Sequence, residues 1–133
     1  MTAAEMLECQ FRKASARRHV HNVTLRPTYS HPTIPVGEEP VAEVVDRQGR
    51  GIFFTNSGLA MPGRGFVHYA DIKRVVWMGR DRDLRRKQDQ YDRIEIEFAD
   101  GTFAKLVDLD QAVFPLLKYF GWLVARQSPP QAL

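Results

Sequence analysis

The chain has 133 residues, 44% of them hydrophobic and 26% charged, with 19 Lys and Arg against 16 Asp and Glu for a net charge of +3. That is enough for one domain with its own core, and the charge is too modest to single out nucleic acid as a partner. The lone cysteine, Cys9, excludes an internal disulfide and the paired spacings of zinc or redox centres, and no apolar run approaches the roughly 20 residues of a membrane span.

Ala3 to about Arg18 reads as a short amphipathic helix, with Met6, Leu7, Phe11 and Ala14 on one stripe and Arg12, Lys13, Arg17 and Arg18 near its C-terminal end. Glu5 and Glu8 stand where a signal peptide would be basic, so the expected compartment is the cytoplasm. His19 to Leu25 can form a strand. Pro27, Pro32, Pro35 and Pro40 then forbid a helix, and Arg26 to Glu39 reads as an extended surface arm, long enough to touch something.

From Val41 the pattern turns to strands: Val41 to Asp46, Gly51 to Thr55, Leu59 to Met61, Phe66 to Tyr69 and Ile72 to Met78. Gly51 to Thr55 is almost continuously apolar, which places it either between two layers or under the arm. Residues 79–92 form a long charged loop. In the last hairpin Ile94, Ile96 and Phe98 face one way and Glu95 and Glu97 the other. A three-residue loop, Ala99-Asp100-Gly101 with Gly101 left-handed, pairs Ile94 with Leu106, Glu95 with Lys105 and Ile96 with Ala104, so that faces and charges agree.

A closing helix from about Asp110 to Arg126 carries Val113, Leu116, Leu117, Phe120, Leu123 and Val124 on a wide apolar face. Pro115 predicts a break or a tighter first turn near Phe114. Gln127 onward, with Pro129 and Pro130, reads as a flexible tail.

Several phrases, namely Gly51-Ile-Phe-Phe-Thr55, Gly58-Leu59, Phe66-Val-His-Tyr-Ala-Asp-Ile-Lys-Arg-Val75, Ile94 to Gly101 and the final helix with Trp122, resemble the pleckstrin-homology-like (PH-like) superfold in its small bacterial versions. The resemblance covers roughly 38–126. It implies an α+β, mainly β fold: a bent barrel of two near-orthogonal antiparallel sheets capped by the C-terminal helix, here with an extra N-terminal helix and arm over 1–37. It also implies a binding role toward lipid headgroups, peptides or proteins. Phosphoinositide-binding members cluster cations around the first hairpin, whereas here only Arg47 and Arg50 stand there, beside Glu43 and Asp46.

No constellation for catalysis assembles. His19, His21 and His31 lack the paired spacing of a metal site, so no metal or cofactor is expected. His68 and Asp71 have no nucleophile to serve, and Ser57 lacks the preceding glycine and following helix of a nucleophile elbow. The functional candidates are surface groups. Arg80, Arg82, Arg85 and Arg86 in the charged loop, with Tyr119 and Trp122 on the closing helix, are the expected contacts to a protein partner, a second copy of the chain included. The alternative is peripheral binding to anionic lipid through Arg12, Lys13, Arg17 and Arg18 with Arg85, Arg86 and Lys87. The aspartates among these arginines dilute the potential that nucleic acid would need.

Overall fold

Thr2 opens the first helix with a capping box. In the computed structural model, which describes residues 1–17, 20–29, 33–77 and 91–127, the Thr2 hydroxyl accepts the Glu5 N–H at 3.1 Å. The Thr2 backbone nitrogen donates to Glu5 Oε1 at 3.3 Å. Hydrogen bonding of the carboxylate to the Thr2 side chain, and then to the Thr2 backbone, holds the Glu5 carboxyl below its usual range. The helix, α1, spans Ala3–Arg17. Leu7 and Phe11, one turn apart, are fully buried in the main core of the same chain.

Five strands follow in an antiparallel meander: β1 (Val23–Leu25), β2 (Pro40–Val45), β3 (Gly51–Thr55), β4 (Gly58–Met61) and β5 (Gly65–His68). Pro40 is the first residue of β2, beside a register shift between Pro40 and Ala42, which is where a strand tolerates a missing N–H. A 3-10 turn, Tyr69–Asp71, passes the chain into a second antiparallel sheet of β6 (Ile72–Trp77), β7 (Ile94–Phe98) and β8 (Phe103–Leu106). The two sheets share no strand, and no closed barrel forms among the described residues. The β7–β8 hairpin pairs Ile94 with Leu106, Glu95 with Lys105 and Ile96 with Ala104, and Gly101 sits at φ 85°.

A 3-10 turn at Asp110–Ala112 leads into the closing helix, α2 (Val113–Gln127). Pro115 therefore falls in the first turn, where its missing N–H has no intrahelical partner to lose. The buried stripe of α2 is Leu116, Tyr119, Phe120 and Leu123, facing Phe54, Ile94, Ile96 and Phe98 in one packed core. Leu117 and Val124, expected on that stripe, are only half-buried, because the helix is rotated to give them to its flank.

The arm is a strap. Ile34 packs with Phe53 and Ala60 on the outer face of the five-stranded sheet. Tyr29 meets Phe53 edge-on at 5.8 Å and donates its hydroxyl to the Glu43 carboxylate, which raises the phenol above its usual range. Gly51–Thr55 thus lies between the core and the arm. An ionic clamp ties the β2–β3 turn to the approach to α2: Arg47 reaches Asp92 at 2.8 Å and Asp108 at 3.1 Å. Asp92 also accepts the Asp110 N–H at 3.0 Å.

Candidate functional groove between the two helices

Arg126, in the last turn of α2, donates to the Met1 carbonyl at 2.8 Å. The start of α1 is thereby held at the end of α2, while Lys13 and Arg17 at the other end of α1 lie across from Phe114 and Lys118. The helices run antiparallel, and between the second half of α1 and the first half of α2 they leave a groove of about 260 Å³. From α1 come Gln10, Lys13, Ala14 and Arg17, spaced three and four apart on one face. From α2 come Phe114, Pro115, Leu117 and Lys118. The floor is apolar: Pro115 is buried and Ala14, Phe114 and Leu117 are half-buried, whereas Lys13, Arg17 and Lys118 are exposed along the rim.

The rim is uniformly cationic. Among the described residues no carboxylate lines the groove, and none of Lys13, Arg17 and Lys118 makes an ion pair. Glu8, the nearest acid on α1 in sequence, is engaged by Arg26 and, at 3.8 Å, by Arg12. Two other concavities lack this feature. One of about 510 Å³ beside the β4–β5 turn is bordered by Arg50 and Arg64, which pair with Asp46 at 2.9 Å and Asp100 at 3.9 Å. One of about 430 Å³ near Ser57 is bordered by Arg126, already spent on the Met1 carbonyl and stacked 4.6 Å over Trp122.

An aromatic edge adjoins the groove. Phe114 meets Trp77 at 6.3 Å and Tyr91 at 5.3 Å, and the Trp77 indole donates to the Tyr91 carbonyl at 2.8 Å. Trp77 is 43% exposed, one of few large apolar side chains so placed. Trp77 and Tyr91 are also the described residues on either side of 78–90.

Of the residues expected at a binding surface, Lys13 and Arg17 stand on the rim, and Arg12 turns to Glu8. Arg18, Arg80, Arg82, Arg85, Arg86 and Lys87 lie outside the described residues, as do His19 and His31. Tyr119 is not a surface anchor. It is 0% exposed, packed against Phe54, Tyr69 and Phe120, and burial pushes its phenol well above the usual range. It lies on the face that α2 turns to the sheets, so a partner cannot reach it. Trp122 is half-buried, stacked between Tyr119 and the Arg126 guanidinium. The sequence reading missed Lys118, Phe114 and Trp77. Nothing local marks them, since their role comes from the pairing of two helices roughly a hundred residues apart.

Among the described residues no group of three or more His, Cys, Asp or Glu is placed to hold a metal, and no helix is long and apolar enough to cross a membrane. His68 rests edge-on against Phe66 at 5.2 Å. Ser57 bonds to the Glu38 carboxylate. No known protein family, curated protein or solved structure matches the chain.

Proposed function

We propose that this chain is a non-catalytic binding module of the PH-like kind that acts by protein–protein association. Two antiparallel meanders followed by a capping helix agree with that superfold, and the bent barrel belongs to the same proposal. The observation that carries the functional reading is the groove. It holds three cations with no described ion pair over an apolar floor, flanked by an exposed tryptophan, on a fold whose interior is filled with side chains. Lys13 and Arg17, like charges one helical turn apart, repel each other in the free chain, and an acidic partner that covers them relieves that repulsion. The partner's contacts extend from the groove onto Trp77 and the arginines of 79–92.

Peripheral lipid binding uses some of the same residues, but the apolar stripe of α1 is consumed inside its own chain and cannot enter a bilayer without undocking the helix. The test is affinity capture from the native cell with the wild type and with a Lys13→Glu/Lys118→Glu variant. A protein retained by the wild type and lost by the variant supports the reading. Identical captures from both, or capture of nothing by the wild type, refute it.

A further inference from the structure

We infer that the α1–α2 groove receives an acidic amphipathic α-helix of the partner, laid along it as a third helix; this rests on the binding-module reading above. Three features of the groove select that occupant. Its size is against a small molecule, because about 260 Å³ falls below the roughly 300–1,000 Å³ typical of ligand pockets. Its walls are against an extended peptide. Both are helices, which offer at most a few end groups of the last turn of α1 and the first turn of α2 and no sheet edge with a run of N–H and C=O groups in strand register, so a strand laid there would bury most of its backbone groups unpaired. A helix brings its own hydrogen bonds and offers only side chains.

The shape also disfavours a membrane surface. The apolar atoms of Ala14, Pro115 and Leu117 form the floor while Lys13, Arg17 and Lys118 stand exposed around it, so a flat bilayer would meet cations before any apolar group. A convex helix fits the reverse way, with its apolar ridge in the groove and carboxylates on its flanks meeting the rim. Lining positions on α1 run from Gln10 to Arg17, about 10 Å at ~1.5 Å per residue, so the groove takes about two turns of the partner. The recognised pattern is therefore two or three apolar residues spaced three or four apart, with Glu or Asp on both sides of them.

The probe is a synthetic 18-residue peptide with leucines at helical spacing flanked by glutamates. It is compared with a scrambled isomer of the same composition and with a version carrying lysine in place of glutamate. Each is titrated into the full-length, isotope-labelled chain by NMR and followed by fluorescence anisotropy. The expected result is amide shifts clustered at Gln10, Ala14, Leu117 and Lys118, with binding at least about tenfold tighter than for either control. Lys13→Glu/Lys118→Glu should remove that preference, and added salt should weaken binding. Vesicles of phosphatidylcholine with and without phosphatidylserine form the second arm.

Absence of groove shifts with the acidic peptide, equal binding of the scrambled isomer, or groove shifts only with anionic vesicles each overturns the inference. The two readings fail on different results: if the cellular partner is still lost by the charge-reversed variant while the peptide leaves the groove unmoved, the module stands and the helical occupant falls; if the captures are identical, the module reading falls.

Discussion

Adding one methyl group at two glycines should shift stability in opposite directions. A Cβ at Gly58 would lie 2.2 Å from the Val67 carbonyl oxygen and 2.6 Å from Phe66 Cζ. The phenyl ring can swing away, but the carbonyl belongs to β5, paired with β4 through Gly58–His68 and Leu59–Val67. Reaching an ordinary carbon–oxygen separation of ~3.3 Å requires the strands to part by about 1 Å. The turn has little slack. The Thr55 hydroxyl accepts the Gly58 N–H at 3.1 Å and donates to the Gly58 carbonyl at 3.1 Å, and the Tyr69 N–H donates to the Ser57 carbonyl at 2.9 Å. Gly58→Ala should therefore fall at the upper end of overpacking costs, about 3 kcal/mol. Gly121 is exposed on α2 with nothing within 4 Å of its would-be Cβ, so Gly121→Ala should gain about 1 kcal/mol from helix propensity alone. Urea unfolding followed by circular dichroism reads both. A Gly58→Ala midpoint equal to wild type, or a Gly121→Ala midpoint below it, would refute the reasoning from these contacts.

Phe11→Ala removes a ring buried in the main core and should cost about 3–4 kcal/mol in the same assay; a loss under about 1 kcal/mol would mean that α1 is not docked in its own chain. Burial, working against the Asp110 N–H and the Arg47 guanidinium, raises the Asp92 carboxyl above its ordinary value of 3.8, and its Oδ1 has no hydrogen-bond partner among the described residues. With the folded pKa above the unfolded one, the stability that Asp92 contributes is present in full below pH 3.8 and is lost as pH rises through the folded value. Asp92→Asn should flatten that decline just above pH 3.8, measured by urea midpoints across the acid range; an unchanged profile in the variant would assign the slope to other groups.

Where neighbouring residues alone set the geometry, the sequence was a sufficient guide. The β7–β8 hairpin was readable because Ile94, Ile96 and Phe98 alternate with Glu95 and Glu97, and only a three-residue loop with a left-handed Gly101 keeps their faces matched. Pro115 marked the tightened entry to α2 for an equally local reason. The Thr2–Glu5 capping box is legible too, as a Thr-x-x-Glu pattern before an apolar stripe. Tertiary packing decided the rest. The rotation of α2 that buries Tyr119 and frees Leu117 depends on which sheet residues it meets. The strapping of Tyr29 and Ile34 over Phe53 depends on where the prolines carry the arm, and proline spacing does not encode that direction.

On the proposed reading, the N-terminal helix contributes to association through the groove that it forms with α2. Its apolar stripe is spent on the core through Leu7 and Phe11, and this docking is what presents Lys13 and Arg17 opposite Lys118. Without it the three cations have no common site. Occupancy of the groove and docking of α1 are therefore thermodynamically linked: a ligand that needs both walls binds only the docked form and must stabilise it. The tie between Arg126 and the Met1 carbonyl, together with the capping box at Thr2, fastens one end of α1, and Phe11 in the core holds the half that lines the groove. Trp77, packed on Phe114 beside that same groove, extends the apolar surface that the proposed acidic partner would cover, so occupancy of the groove should also bury the Trp77 indole.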